Sequence, residues 1–267
     1  MNLSISNIAW DAKHDEEMYE FLHTNAIHGL EIAPTRLFPS RPYDNIPQVK
    51  AFGTELKKKY NLAVSSIQSI WYGLSENIFE SDASRKMLVD YTKKAIDFAC
   101  ALECGNIVFG CPKNRTIPSS MSANIYLPIA YDFFKQIGDY ANARGTCISI
   151  EPNPVIYNTN FINTTAEAFD ICRKINNPGI KVNVDIGTIV YYDEHIDIIL
   201  EDNIYLLNHI HISEPHLVPI ERRELHVTQI KKLRSLNYSG FFSIEMANQD
   251  NIDLIKHTIL YVKELLQ

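Results

Sequence analysis

The stretch KVNVDIGT, residues 181–188, has the pattern of a buried strand in a parallel sheet. Here a short β-branched run ends in an aspartate, and a glycine follows two residues later. Seven further β-branched or apolar runs occur, at residues 3–8, 29–33, 62–68, 106–110, 147–151, 209–213 and 241–245. Several of them are nearly continuous in apolar residues, as is typical of parallel strands covered on both faces. The sequence therefore predicts eight strands of a parallel sheet.

Helical patterns separate these runs. Apolar residues recur with a period of 3.6 over residues 82–103, 122–144, 164–176 and 250–266. Ser122 and either Thr164 or Thr165 are predicted N-caps, and the sequence Asn-Pro-Gly at 177–179 is expected to end the preceding helix. The segment 34–47 is rich in proline and arginine, which indicates a loop.

The spacing of the runs indicates the fold class. Their starts lie 26 to 44 residues apart, so each interval can hold a strand, a helix and two loops. Eight such units in about 250 residues match a closed barrel. We therefore predict an α/β fold, a (β/α)8 TIM barrel, formed by residues 1–267 as one domain. An open doubly wound sheet is the main alternative, although no G-x-G-x-x-G motif follows the first run.

Composition narrows the class of protein. The 267 residues carry a net charge of −7, and 46% of them are hydrophobic, which excludes a disordered chain. The acidic balance argues against binding to nucleic acids or to anionic membranes. Because we find neither a run of about 20 apolar residues nor a signal peptide, we expect a cytoplasmic protein. The five cysteines form no C-x-x-C pair and are predicted to be reduced core thiols.

The last four runs each carry a residue of a metal-ligand type near the carboxyl end. These residues are Glu151, Asp185, His211 and Glu245. In a barrel, the carboxyl ends of the strands meet at one rim, where active sites form. Three carboxylates and one imidazole suit a divalent ion such as Mn²⁺, Mg²⁺, Co²⁺ or Zn²⁺. We therefore predict one divalent metal ion at this rim.

The pattern ISIEPN…INTTAEAFDIC…VNVDIG…HIHISEP…SIEM resembles the xylose-isomerase-like barrel superfamily. This superfamily includes sugar-phosphate isomerases and epimerases, ketose 3-epimerases, hydroxypyruvate isomerases and type IV AP endonucleases. The resemblance implies that Glu151, Asp185, His211 and Glu245 bind the metal and that Glu151 and Glu245 also move protons. Two positions depart from the family pattern: Thr188 stands where a histidine is frequent, and Leu217 where some ketose epimerases have an arginine.

Several other residues are candidates for binding the substrate. Lys113 and Arg115 could clamp a phosphate or a carboxylate, or they could belong to a solvated basic loop. Gln68 could donate hydrogen bonds to sugar hydroxyls, and Trp10 could either stack on a sugar or pack in the core. The remaining candidates are Asn153, Glu214 and His226. His209 is expected to be a hydrogen-bonded core histidine, and Glu31 a structural group or a neighbour of the metal ligands.

These observations predict a metal-dependent isomerase or epimerase. A metal that chelates a carbonyl and an adjacent hydroxyl acidifies the C–H bond between them, and two carboxylates can remove and return the proton by way of an enediolate. The expected substrate is a small sugar or sugar phosphate, and a homodimer is expected by analogy with related barrels. A non-catalytic or dehydratase-type barrel is an alternative. An AP endonuclease is a weaker one, because no histidine ends the third or fourth run.

Overall fold

The computed structural model describes residues 1–267 and has eight parallel strands. The strands are β1 (Asn2–Ile5), β2 (Gly29–Ile32), β3 (Ala63–Ile67), β4 (Ile107–Phe109), β5 (Ile148–Ile150), β6 (Ile180–Asp185), β7 (Leu207–Ile212) and β8 (Phe241–Ile244). Each of the eight runs forms one strand, so the predicted strand count is confirmed.

The sheet curves into a nearly closed barrel. Its strand order is β1-β8-β7-β6-β5-β4-β3-β2, and a parallel bridge between Ser6 and Glu31 joins the ends of β1 and β2. An open doubly wound sheet would have two unpaired edges, so this closure excludes the alternative. The predicted (β/α)8 TIM barrel is confirmed.

Ten α-helices accompany the strands. They are α1 (Asp15–Thr24), α2 (Pro34–Leu37), α3 (Ile46–Tyr60), α4 (Asp82–Ala101), α5 (Ala123–Ala143), α6 (Thr165–Ile175), α7 (Ile186–Tyr192), α8 (Asp197–Asn203), α9 (Glu224–Ser235) and α10 (Ile252–Leu266). The four predicted helices correspond to α4, α5, α6 and α10. The segment 34–47 is not entirely a loop, because Pro34 starts the single turn of α2 and α3 begins at Ile46. None of the ten helices combines the length and the apolar character needed to cross a lipid bilayer.

Local sequence signals explain where some of these helices start. Thr164 caps α6 in a capping box, because its side chain accepts a hydrogen bond from the Glu167 amide while the Glu167 carboxylate accepts one from the Thr164 amide. Ser122 precedes α5 as predicted, but its side chain makes no capping hydrogen bond. Its hydroxyl is directed to Asn124 Oδ1 instead.

The cysteines are all free, and three of them are buried as predicted: Cys104, Cys147 and Cys172. Cys100 is exposed and Cys111 is half-buried, so the prediction of core thiols was wrong for these two. Cys100 lies in the last turn of α4 but outside the buried face of that helix, which there consists of Ile96, Phe98 and Ala99.

Candidate metal centre

Strand register brings the four predicted ligands together. Asp185 ends β6 and pairs with His211 on β7, while Glu151 and Glu245 directly follow β5 and β8. All four residues are buried, and one ligand atom from each lies within 4.8 Å of the others. We call these four residues the ligand cluster. It lies at the carboxyl rim of the barrel, where the sequence predicted it.

The imidazole of His211 has one nitrogen without a hydrogen bond. Its Nδ1 lies 2.7 Å from Glu151 Oε1 and 3.1 Å from Glu245 Oε2, yet it is buried and forms no hydrogen bond of acceptable geometry. A buried nitrogen between two carboxylates and without a hydrogen bond has the surroundings of a metal ligand. The mixed oxygen and nitrogen donor set therefore fits a divalent cation.

Neighbouring amides and a glycine fix the carboxylate of Glu151. Asn183 Nδ2 donates to Oε1 at 2.8 Å, and Asn153 Nδ2 donates to Oε2 at 3.0 Å. Arg115 supports this arrangement from behind, because its Nη2 donates to Asn153 Oδ1 at 2.7 Å and to the Glu151 carbonyl oxygen at 2.9 Å. A Cβ atom at Gly110 would lie 2.7 Å from Glu151 Oε2, so the glycine leaves the space that this carboxylate occupies.

Asp185 is held by hydroxyl groups and by the start of α7. Ser213 donates to Oδ1, and the backbone N–H of Thr188 donates to Oδ2 at 2.8 Å, so Asp185 is also the N-cap of this helix. The Thr188 hydroxyl lies 2.7 Å from the same oxygen. In this chain the residue at position 188 therefore orients Asp185 through its hydroxyl.

A second group of polar residues lies beneath the ligand cluster. Glu31 is completely buried, and its Oε2 lies 3.0 Å from Nε2 of both His209 and His211. Its Oε1 accepts a hydrogen bond from Gln68 Nε2 at 3.1 Å. We call Glu31, His209 and Gln68 the lower cluster. It makes His209 a hydrogen-bonded core histidine and Glu31 a direct neighbour of a predicted ligand, as the sequence indicated.

The electrostatics of the buried carboxylates differ. Burial opposes ionisation of Glu31, but the imidazoles of His211 and His209 outweigh burial and lower its pKa. For Glu245, burial prevails over the attraction of His211 and, together with the charge of Glu151, raises the pKa to about 7. Burial and then the charge of Glu151 likewise raise the pKa of Asp185. The three carboxylates of the ligand cluster thus carry more negative charge than the single imidazole of His211 can balance.

A cleft of about 180 Å³ opens above the ligand cluster. Among the residues predicted to bind the substrate, Gln68 and Asn153 line it, together with Glu151, Asp185 and Glu245. The cleft also contacts residues at which the sequence gave no sign of a role, such as Tyr157 and Pro112.

The structure does not bring the other predicted contacts to the cleft. Arg115 is completely buried behind Asn153, and the exposed Lys113 lies outside the lining. The buried indole of Trp10 donates to Asp15. Glu214 accepts two hydrogen bonds from the Arg223 guanidinium, and His226 Nδ1 lies 3.0 Å from the Tyr261 hydroxyl.

Two residues that hold the ligands were missed in the sequence. Asn183 lies two positions before Asp185, and Ser213 two positions after His211. Side chains two residues apart in a strand share a face, so this spacing could have indicated both of them.

Comparison with known proteins agrees with this geometry. A model of the family described as the xylose isomerase-like TIM barrel matches residues 20–265. The chain belongs to this family. No curated protein sequence matches the chain at a significant level.

Solved structures of similar fold include two epimerases and a dehydratase. The 3-keto-D-glucoside 4-epimerase from E. coli has 19% sequence identity and a TM-score of 0.79, with 99% of each chain covered. The D-psicose 3-epimerase from Clostridium cellulolyticum H10 has 14% identity and a TM-score of 0.82, with 100% of each chain covered. The probable 3-DHS dehydratase from Bacillus anthracis has 13% identity and a TM-score of 0.73, covering 98% of this chain and 99% of that one. At these identities the likeness establishes the fold.

Proposed function

We propose that this protein is a divalent-metal-dependent isomerase or epimerase of a small sugar. The observation that supports this best is the ligand cluster, with four ligand atoms within 4.8 Å and His211 Nδ1 left without a hydrogen bond. The family match and the two sugar epimerases among the similar structures agree with it.

Glu151, Asp185, His211 and Glu245 would hold the metal. A divalent cation bound there would polarise a sugar carbonyl and acidify the neighbouring C–H bond. The family resemblance implies that Asp185 and His211 act as ligands only. Ser213 and Thr188 orient Asp185 for this role, and the lower cluster orients His211.

Glu245 and Glu151 are the proposed proton-transfer pair. Glu245 accepts no hydrogen bond from an amide or a hydroxyl group, and its only close polar contact joins Oε2 to His211 Nδ1. Its Oε1 is therefore free to take a proton from a sugar carbon. Glu151 also lines the cleft, where Asn183 and Asn153 fix the direction of its two oxygens.

The proposed reaction needs no further reactant. One carboxylate removes the proton from the carbon next to the carbonyl. The C–H electron pair becomes the new C=C bond, and the carbonyl π pair moves onto its oxygen, which gives an enediolate. The other carboxyl group returns a proton to the opposite face of the same carbon, which epimerises it, or to the former carbonyl carbon. In the second case the hydroxyl proton passes to the former carbonyl oxygen, and the sugar is isomerised. A positioned carboxylate contributes about 10²–10⁴-fold to such a step.

Solvent deuterium exchange tests the proposal. We expect the Mn²⁺- or Mg²⁺-loaded protein to incorporate deuterium from D₂O next to the carbonyl of at least one ketose, as measured by NMR and mass spectrometry. Glu245→Gln and Glu151→Gln should each slow this exchange by about 10²–10⁴-fold. Glu55→Gln is the matched control, because Glu55 is exposed and lies on the outer helix α3. Absence of exchange across free ketoses, aldoses and their phosphates would exclude the proposed reaction.

The same experiment distinguishes the alternatives. Loss of water from the sugar would indicate a dehydratase. Sugar binding without exchange or water loss would indicate a barrel without turnover. Nicking of an abasic DNA duplex would indicate an endonuclease, although Gln68 and Gly110, at the ends of β3 and β4, offer no imidazole for further metal ions.

A further inference from the structure

We propose that the cleft selects uncharged sugars and discriminates against sugars that carry a phosphate or a carboxylate. This inference rests on the proposed function and narrows its substrate class. It follows from the lining of the cleft, which contains no lysine, arginine or histidine, and from the hydrogen bonds that engage several cationic side chains and backbone amides near the rim.

Two arginines of the rim loops are buried or paired within the protein. Arg115 is completely buried, and its Nη2 donates to the Glu151 carbonyl oxygen and to Asn153 Oδ1. Its Nε and Nη1 have no hydrogen-bond partner, but Arg115 does not line the cleft. Arg223 donates to both carboxylate oxygens of Glu214 and to Glu221. Lys113 is exposed and does not line the cleft, and the exposed Arg222 lies over the Tyr261 ring, also outside the lining. Lys113 is the cation that the sequence predicted as an anion contact, so it is the one to test.

Backbone amides of the loops after β7 and β8 are also engaged. Barrel enzymes frequently bind phosphate with these loops, because free N–H groups there can donate to an anion. In this chain the Leu217 amide donates to the Glu214 carbonyl at 2.8 Å, and the Ala247 amide donates to the Leu217 carbonyl at 2.8 Å. The Gln249 amide donates to the Ala9 carbonyl at 2.9 Å. The His216 amide donates to the Tyr157 hydroxyl at 2.9 Å.

The lining of the cleft is suited to a neutral polar ligand. Its charged members are the carboxylates of Glu151, Asp185 and Glu245, which outnumber the charges of one divalent cation. The other members are neutral, and they are Ile8, Gln68, Ser69, Val108, Gly110, Cys111, Pro112, Asn153, Tyr157 and Leu217. An anionic group placed here would lose its hydration without gaining a cationic side chain as a partner, and the metal charge would already be balanced by the three carboxylates, so its burial is unfavourable. Hydroxyl groups would meet no such penalty.

Matched pairs of sugars test this inference on the metal-loaded, full-length protein. We would compare D-fructose with D-fructose 6-phosphate, and D-ribulose with D-ribulose 5-phosphate. Deuterium exchange gives relative turnover, and saturation-transfer NMR with competition between the two members of a pair gives relative binding. We expect the turnover and the affinity of each sugar phosphate to be at least about 10-fold lower than those of its free sugar, because the cleft offers the phosphate no charge-assisted hydrogen bond.

Two variants sharpen the test. Leu217→Arg places a cation in the cleft at a half-buried position and should improve the phosphate relative to the free sugar by about 10-fold or more. Val218→Arg is the control, because Val218 is exposed and lies outside the cleft, so its preference should stay that of the wild type. Lys113→Met should leave the preference unchanged if Lys113 does not reach the ligand.

The outcomes separate this inference from the proposed function. If a phosphate exchanges as well as its free sugar, or better, the inference is wrong while the proposed function stands. A phosphate preference that Lys113→Met abolishes would overturn it in the same way and identify Lys113 as the anion contact. If no sugar exchanges, the proposed function fails, and the binding measurement alone decides: weaker binding of the phosphate supports neutral selectivity, and equal or tighter binding refutes it.

Discussion

The lower cluster and the ligand cluster both contain buried carboxylates, but they differ in how many hydrogen-bond donors surround them. Glu31 lies against three nitrogen donors, from His209, His211 and Gln68. Glu245 has one close polar contact, with His211 Nδ1. The pKa of Glu31 is accordingly lowered, whereas burial raises the pKa of Glu245 to about 7. A buried carboxylate with a full set of donors therefore stabilises the fold, while one without donors is suited to bind a cation or a proton.

The two clusters meet at His211. An ionised Glu31 can only accept hydrogen bonds, so the His211 nitrogen that faces it, Nε2, carries a proton. In the neutral imidazole, Nδ1 is then left with a free electron pair directed at the ligand cluster. Glu31 is therefore a positioning residue: it fixes the tautomer of the metal ligand His211 but is not itself one of the proposed ligands.

Replacing Glu31 should have the largest effect on this comparison. Glu31→Leu leaves two buried imidazole N–H groups without an acceptor, so we expect the free energy of unfolding to fall by about 3–5 kcal/mol. Glu31→Gln keeps the shape and one acceptor oxygen, and metal affinity should fall by about 10–100-fold. Chemical denaturation and competition with a chelator measure the two effects.

A spectroscopic readout separates positioning from a loss of stability. In the Zn²⁺-loaded wild type, ¹⁵N NMR should show His211 with Nε2 protonated, and Glu31→Gln should weaken this tautomer. Glu55→Gln on the exposed face of α3 is the control for both experiments. An unchanged metal affinity together with an unchanged tautomer would show that the lower cluster does not act on the ligand cluster.

The residues of the ligand cluster could be predicted from the sequence, but the contacts of the lower cluster could not. Glu151, Asp185, His211 and Glu245 could be found because each lies at or next to the carboxyl end of a strand, and the topology of a barrel brings such positions to one rim. Glu31 also ends a β-branched run, but its partners come from β7 and from the residue after β3, and no local pattern indicates that pairing. Arg115 shows the same limit: its sequence context suggested an anion contact, whereas burial against Asn153 depends on how the loops pack.

Removing the charge of Glu245 should change the stability by less than replacing Glu31 and in the opposite direction, so that the fold becomes more stable. In the metal-free protein this carboxylate has few donors, so Glu245→Gln should raise the melting temperature by a few degrees at pH 8, at about 2–4 °C per kcal/mol for a chain of this size. The same substitution should slow the proposed proton transfer by about 10²–10⁴-fold, so the gain in stability comes with a loss of function. A lower melting temperature for the metal-free variant would contradict this view of the ligand cluster.

The pH dependence of that difference has a definite sign. The pKa of Glu245 is raised from 4.5 to about 7 on folding. Between these values the folded protein binds more protons than the unfolded chain, so this group makes the fold less stable as pH rises. The gain from Glu245→Gln should therefore be absent below about pH 4.5 and complete above about pH 7. Thermal denaturation of the metal-free wild type and variant across this range measures it.

We expect the smallest effect at Thr188. Its hydroxyl helps to orient the ligand Asp185, much as Glu31 of the lower cluster orients the ligand His211. Its Oγ1 lies 2.7 Å from Asp185 Oδ2 and 3.0 Å from the Pro152 carbonyl oxygen, and its single proton can serve only one of them at a time. Thr188→Val removes the hydroxyl but keeps the shape. Metal affinity should fall by about 3–10-fold, which is less than a full hydrogen bond to a charged group would contribute, because the hydroxyl is shared with the Pro152 carbonyl. Thr188→Ser should restore it, and Thr228→Val on the exposed face of α9 should change nothing. If Thr188→Val binds the metal as tightly as the wild type, the amide of residue 188 and Ser213 suffice to orient Asp185, and the ligand cluster depends on its surroundings less than Glu31 suggests.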